Sequence, residues 1–224
     1  QGSGISPLLA NVFLHYVLDL WFEQDVKPRL EGTAFLIRYA DDFVVVIHGE
    51  RSDAEALRQE VAAVLATVGL RLSVTKTTIV HVDEGFDFLG WRIQRHRKRG
   101  TAKHFVYTYP SKTSLGKVKA KVKTLSRQGR NEPLSELLHR LNPVLRGWTN
   151  YFRHGVSKAT FGYLRAYVWA RVVNWLRHKH PRANWKWLRR HYLPGWWPTE
   201  GDVSLFDPNA VPITWARYRG QITD

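Results

Sequence analysis

Cysteine is absent from this 224-residue chain, and so is methionine. Without thiols there is neither a disulfide framework nor a zinc-thiolate site, which suits an intracellular, cytoplasmic protein. No apolar run approaches the ~20 residues that a membrane helix needs, and no signal peptide opens the chain, so no membrane partner is expected. With Gln1 in first place and no methionine anywhere, the polypeptide reads as a piece of a longer product. Acidic residues are also scarce, 19 against 34 Lys and Arg, and the scarcity is local. From Gln1 to Gly90 there are 13 acids and 7 bases, whereas from Trp91 to Asp224 there are 6 acids and 27 bases. An acidic half joined to a strongly basic half points to a polyanion held by the second, with nucleic acid the first candidate. A solvated basic surface is the bland alternative. What is present in quantity is apolar, 44% hydrophobic and 13% aromatic, enough for a folded core in one or two domains.

Local patterns give the organisation. Ser6-Pro7 starts a helix, and Leu8, Val12, Tyr16 and Leu20, with Leu9, Phe13 and Val17, form a stripe at helical spacing. Phe35–Tyr39 and Phe43–Ile47 are apolar runs of strand length joined by Ala40-Asp41-Asp42, a tight hairpin. Ser52-Asp53-Ala54-Glu55 reads as a capping box before a helix that ends at Gly69. Leu70, Leu72 and Val74 alternate as a strand, and Thr78–Val82 is read as another. Phe86–Ile93 and His104–Tyr109 read as a second hairpin with a basic tip. After Pro110 the texture becomes helical and basic: 115–125, then Pro133–Leu141, then a helix opened by Asn142-Pro143, then one opened by Ser157 and stopped by Pro181. Phe161, Leu164, Val168, Val172 and Trp175 are the expected inward face of that last helix. The fold class expected is α+β, a layered strand-and-helix domain followed by an all-α one. The boundaries expected are 1–110, 111–195, and a tail, 196–224, packed on the helical domain.

The acid pair Asp41-Asp42 sits between apolar flanks, where bare carboxylates are costly. Turn propensity alone leaves those flanks unexplained. A glycosidase pair needs carboxyls about 5–10 Å apart, while neighbouring strand side chains point to opposite faces. A hard cation explains the pair best, since Mg2+ accepts one or two carboxylates and completes its shell with water and substrate phosphates.

Tyr39-Ala40-Asp41-Asp42 resembles the catalytic box of reverse transcriptases, carried on a hairpin of the palm. Gln1-Gly2-Ser3-Gly4-Ile5-Ser6-Pro7-Leu8-Leu9-Ala10-Asn11 resembles the segment upstream of that box in group II intron reverse transcriptases. Gly69-Leu70-Arg71-Leu72-Ser73-Val74-Thr75-Lys76-Thr77 resembles the lysine-bearing block after it, and Phe88-Leu89-Gly90-Trp91 the primer-grip block. The four occur in family order. Leu145-Arg146-Gly147-Trp148-Thr149-Asn150-Tyr151-Phe152 and the aromatic-basic helix with Tyr167, Trp169 and Trp175 resemble the maturase (thumb) domain of the same proteins.

The resemblance implies an RNA-directed DNA polymerase of a bacterial mobile group II intron, with intron RNA, a DNA primer and dNTPs as partners. Asp41 and Asp42 would hold two Mg2+ ions. Lys76 would neutralise or protonate pyrophosphate, its alternative being an ordinary solvated lysine. Gln1, Gly2, Tyr39 and Ala40 would lie around the incoming nucleotide and primer end, and Leu89 and Gly90 would seat the primer strand, unless Phe88-Leu89-Gly90 is simply core. The family's further catalytic aspartate lies upstream of the Gln-Gly segment. Asp19 and Asp87 are poor substitutes for it, so the isolated chain is expected to be inactive as a polymerase.

For RNA, the candidates are Lys117, Lys119, Lys121 and Lys123, whose alternation would wrap charge around a helix, and Arg146, Arg153, Arg165, Arg171 and Arg177 among the aromatics. His178, His180 and His191 lack a metal-ligand pattern and read as surface or RNA-contacting residues. Two rival readings remain: a splicing maturase without polymerase chemistry, and a reverse transcriptase of another lineage.

Overall fold

The computed structural model describes residues 5–30, 32–129 and 131–214. They fall into two compact units, Gln1–His81 and Val82–Asp224. The architecture is mixed helix and sheet, with three small antiparallel sheets. Among the described residues no helix is long and apolar enough to cross a membrane.

In the first unit, α1 (Ser6–Leu14) carries Pro7 in its first turn and runs on through two π-helical turns, His15–Asp19 and Phe22–Val26. Leu18, Phe22 and Val26 are buried. Their four-residue repeat would drift around a 3.6-residue helix, and the wider π turns take up that drift. The stripe expected to be core behaves otherwise: Leu8, Leu9, Val12, Phe13 and Tyr16 are exposed, because this unit's core lies against the later turns. A two-strand sheet follows, β1 (Ala34–Tyr39) and β2 (Asp42–Ile47), in the register Ala34↔Ile47 to Tyr39↔Asp42. Then α2 (Arg51–Thr67) buries Leu57, Val61 and Leu65 against Leu18, Phe22 and Val26. Its cap differs from the expected one. Glu50 is the N-cap and Asp53 closes the reciprocal bond, while Ser52 lies inside the helix. The strands expected at Leu70–Val74 and Thr78–Val82 do not form, although the Arg95 N–H does reach the Val82 carbonyl at 2.9 Å. Leu72 still packs on the core, so the alternation recorded one-sided burial.

The second unit begins with three strands rather than a simple hairpin. β3 (Phe86–Phe88) turns at Leu89-Gly90 into β4 (Trp91–Arg97), which pairs along its length with β5 (His104–Pro110). Then come α3 (Lys112–Leu125), α4 (Leu134–Phe152), α5 (Lys158–Lys179) and α6 (Trp185–Tyr192). The sheet packs with the helices: Trp91 lies 4.7 Å from the Phe152 ring, and a Cβ on Gly155 would strike Trp91 and come within 2.6 Å of the Thr108 carbonyl. Charge texture therefore changes at Pro110, but packing changes at His81.

α4 is one helix, where two were expected. Pro143 lies in its interior and deprives the His139 carbonyl of its helical donor, a loss of about 3 kcal/mol. Leu141 and Leu145, one on each side, are fully buried, and each burial contributes about 1.5–3 kcal/mol, which offsets the break. Asn142 does not cap a helix. Its amide donates to the Ser204 carbonyl at 2.9 Å and accepts from the Phe206 N–H at 2.8 Å. The segment 199–206 thus docks on α4, with a two-rung hairpin of β6 (Thr199–Glu200) and β7 (Val203–Ser204) and with Leu205 buried, while 215–224 of the expected tail lie outside the described residues. On α5 the expected inward residues Phe161, Leu164, Val168, Val172 and Trp175 are all buried.

Candidate active site and nucleic-acid interface

The hairpin β1–β2 turns through Ala40 and Asp41 alone, with Tyr39 and Asp42 as its closing pair. Ala40 has φ +55°, the left-handed region usually left to glycine in two-residue turns. Arg38 holds that conformation. Its guanidinium donates to the Ala40 carbonyl at 2.9 Å, to Asn11 Oδ1 at 2.9 Å, and to both carboxylate oxygens of Asp19 at 2.8 and 2.6 Å. The Arg38 side chain is only 11% exposed. Its hydrogen bonds hold the Asp19 carboxyl below the ordinary carboxylate range, against the opposing effect of burial. Asp19 is thereby committed to structure.

Asp41 and Asp42 are exposed at the tip of this clamped turn, beside an exposed Tyr39. Neither aspartate is hydrogen-bonded or ion-paired through its side chain among the described residues. Adjacent hard oxygen donors on a rigid turn, with no competing cation, fit Mg2+. They do not complete a site: among the described residues no group of three or more His, Cys, Asp or Glu could hold a metal ion. Lys76 belongs to the same unit, on an exposed turn closed by N–H bonds from Lys76 and Thr77 to the Ser73 carbonyl. Gln1 and Gly2 lie outside the described residues.

Leu89 and Gly90 belong to the second unit, where they form the two-residue turn between β3 and β4 with φ +50° and +81°. The Tyr151 hydroxyl donates to the Leu89 carbonyl at 2.8 Å, and the Ser111 N–H donates to the Gly90 carbonyl at 2.9 Å. A Cβ at Gly90 would meet Phe152 at 3.4 Å. The alternative that Phe88-Leu89-Gly90 is a plain core strand therefore does not hold. It is a docked turn, and Tyr151 and Phe152 from the aromatic end of α4 hold it.

The relatives of the chain accord with these two parts. Residues 1–93 match the family model for reverse transcriptase (RNA-dependent DNA polymerase). Residues 115–193 match the model for the group II intron maturase-specific domain. The chain therefore carries, in order, a segment similar to reverse transcriptases and one similar to group II intron maturase-specific domains. It is 36% identical over 136 residues to Protein YkfC of Escherichia coli (strain K12), an alignment covering 49% of this chain and 36% of the relative. It is 34% identical over 159 residues to the group II intron-encoded protein LtrA of Lactococcus lactis subsp. cremoris, covering 46% of this chain and 26% of LtrA. A 91 kDa protein in the cob intron of Schizosaccharomyces pombe is 24% identical over 278 residues, covering 94% of this chain and 34% of that protein. The chain thus spans about a third or less of the length of these relatives.

In the maturase-matched part the basic candidates divide into two kinds. On α3 the lysines form two rows flanking buried Val118 and Val122, Lys117 with Lys121 and Lys119 with Lys123, rather than a sleeve around the helix. Lys117, Lys121 and Lys123 are exposed. Lys119 is occupied, 4.9 Å from each of the Tyr163 and Tyr167 rings and donating to the Tyr163 hydroxyl at 2.7 Å. Arg165 bonds Asp207 and lies 4.4 Å over Trp197. Arg171 donates to the Ser126 hydroxyl. Arg153 is half-buried with its Nε unpartnered. Arg146 and Arg177 are exposed. His180 is not a free surface residue: it stacks on Tyr192, 5.2 Å between centroids, and lies 5.0 Å from Trp187. Sequence reasoning missed Arg38 and Asn11 at the turn and Tyr151 at the second turn. The signal for Arg38 was a lone arginine in an apolar strand, a position that burial makes costly without partners.

Proposed function

We propose that this chain supplies the catalytic hairpin and the RNA-gripping helices of a group II intron RNA-directed DNA polymerase that also acts in splicing and mobility. The observation that carries the reading is the exposed, unpartnered Asp41-Asp42 pair on a turn clamped by Arg38, on the same polypeptide as a basic helical unit. In this reading the first unit belongs to the polymerase palm and α3–α6 to the thumb, or maturase, domain, with 196–214 as its packed tail.

Asp41 and Asp42 offer carboxylate oxygens to Mg2+, and the remaining ligands come from substrate phosphates, water and a further carboxylate outside the described residues. Bound there, Mg2+ would activate the primer 3′-hydroxyl and neutralise the leaving pyrophosphate. The side chains supply position. Arg38 fixes the turn, so the two carboxylates are held before substrate arrives. Tyr39 and the small Ala40 leave room for the nucleotide and primer end, Lys76 offers a cation to pyrophosphate, and the Leu89-Gly90 turn seats the primer strand. Lys117, Lys121, Lys123, Arg146 and Arg177 contact intron-RNA phosphates, and Lys119, Arg153, Arg165 and Arg171 add charge from behind.

Two measurements test this. Mn2+ added to the chain should broaden the amide resonances of Tyr39–Phe43 by paramagnetic relaxation, and Asp41→Asn with Asp42→Asn should abolish the broadening. Broadening unaffected by those substitutions refutes the metal role. RNA-templated primer extension by the chain alone should give no product in Mg2+, and normal turnover would refute the need for a further carboxylate. A second reading, RNA binding without polymerisation, is favoured by the excess of 27 bases over 6 acids from Trp91 onward. It predicts salt-steep RNA affinity indifferent to the aspartates.

A further inference from the structure

From Leu137 to Thr199 the chain has no acidic residue and twelve Lys and Arg. Most aromatic rings in this stretch lie in the core or against it, as Trp175 does at 5% exposure. Five are exposed, of which Tyr151 and Tyr163 are engaged through their hydroxyls, with the Leu89 carbonyl and with Lys119. Trp185, at the start of α6, is 45% exposed, and Trp196, in the turn after α6, is 47% exposed. Neither ring packs into the hydrophobic core. Their centroids lie 6.2 Å apart and their planes are tilted by 57°, so they do not close face to face. Each carries an exposed arginine: Arg177 lies 5.6 Å from the Trp185 ring, and Arg189 lies 5.0 Å from the Trp196 ring. Trp187 is different, since His191 stacks on it at 4.3 Å.

The backbone at Trp196 is unusual. Gly195 and Trp196 are both left-handed, φ +59° and +65°. A bulky L-residue rarely adopts that conformation. The turn is fastened by the Trp196 N–H to the Leu193 carbonyl at 3.0 Å and by the Trp169 indole N–H to the Trp196 carbonyl at 2.8 Å. An asparagine or glycine would sit there with less strain, yet the position holds an indole that contributes nothing to the core. Strain retained at an exposed aromatic points to a use outside the fold. Arg177 also lines a cleft of about 330 Å³ with Asn174, His178, His180, Pro181 and Ala183, so the surface beside the indoles is indented and its lining carries no acid, with Glu200 near enough to act on His180.

We propose that Trp185 and Trp196, flanked by Arg177 and Arg189, form a stacking platform for unpaired nucleotides. The proposal rests on the RNA-binding reading above and narrows it to single-stranded segments. Unpaired bases present free π-faces that stack on indole rings, whereas bases in a duplex are already stacked on one another. The two guanidiniums hold the indoles by cation–π contact and remain exposed for phosphate. Exposed Trp and Arg also suit a protein interface. Sixty-three residues without one carboxylate favour a polyanion instead.

Fluorescence anisotropy of a labelled 12-nucleotide single-stranded RNA, the same sequence as DNA, and the same sequence as duplex RNA tests the platform on the whole chain. Trp185→Ala and Trp196→Asn should each weaken single-stranded RNA binding by about five-fold or more, the lower end of what one base stack contributes. Duplex binding should stay within two-fold. The thermal midpoint of Trp196→Asn should not fall, because asparagine tolerates the left-handed backbone, whereas a merely structural tryptophan would lower it. Arg177→Gln and Arg189→Gln should each flatten the log–log salt slope by about 0.7. Equal losses for RNA and DNA support a platform for any unpaired strand, and losses for RNA alone support one that also reads the 2′-hydroxyl. Tryptophan variants that bind single strands within two-fold of the parent, or that lose duplex equally, would overturn it. So would tryptophan-dependent binding of a glutamate-rich peptide in place of RNA, which would indicate a protein partner. If the parent chain binds no RNA at all, the RNA-binding reading itself fails and the platform with it. Parent binding with unaffected variants removes the platform alone.

Discussion

Arg38→Met should open the β1–β2 hairpin while leaving the second unit intact. The guanidinium makes two bonds to Asp19, two to Asn11 (side chain and backbone carbonyl) and one to the Ala40 carbonyl, and its side chain is 11% exposed against 26% for Asp19. Breaking a fully buried pair costs about 3–5 kcal/mol, and breaking an exposed one under about 1 kcal/mol. The burial here lies nearer the first limit, and Asp19 keeps some water, which gives about 2–4 kcal/mol. At 1.4 kcal/mol per factor of ten, hydrogen-exchange protection of the Leu36–Val45 amides should fall about 30- to 700-fold. Amides of α4 and α5 should not change. The pair also has an acid limb. Asp19 has its pKa lowered in the folded chain, so the stabilisation is fully present above the ordinary carboxylate pKa and disappears as pH falls through the lowered one. As pH falls from about 4 through that lowered pKa, the difference between the parent and Arg38→Met should therefore shrink. Loss of less than about three-fold in hairpin protection, or equal loss in both units, would refute the clamp.

Ala40→Gly should relieve the left-handed strain and leave hairpin stability level or up to about 1 kcal/mol higher by denaturant titration, whereas Ala40→Val should lower it by more than 1 kcal/mol. Asn142→Ala should free the tail: losing bonds to Ser204 and Phe206 costs about 2 kcal/mol, read as accelerated proteolysis within 200–214. His180 has its pKa lowered, by burial first and by the nearby Lys179 and His191 charges next, with Glu200 opposing. Its contribution is thus present above the ordinary histidine pKa and lost as pH falls. Thermal midpoints of the second unit should decline between about pH 7 and 5, and His180→Phe should flatten that decline.

The β1–β2 hairpin was legible because its information is local: β-branched runs on both sides and a two-residue join leave one register. α5 was legible for the same reason, five apolar positions at helical spacing. Where physics at a distance decides, the sequence was silent. Arg38 finds its partners 19 and 27 residues away, and nothing in Phe35–Ile47 announces them. Pro143 signals a helix break by every local rule, but the buried leucines on either side keep α4 whole. Leu70–Val74 alternates like a strand and still lacks a neighbour to pair with. The lysines of α3 were read correctly as helical, but their two-row arrangement depended on which face the protein buries, which only the Val118–Val122 contact decides.

The lock between Trp91, Phe152 and Gly155 bears on how such proteins can be divided and recombined. The maturase-specific match begins at 115, yet a fragment started there would lose the strand that covers Phe152 and the turn that Tyr151 holds. The smallest piece expected to fold unaided is 82–214, sheet included. A maturase segment moved between relatives would have to carry its preceding hairpin with it, or arrive with an aromatic face uncovered. The seam along which homology is recognised and the seam along which the molecule can be cut are two different places in this chain.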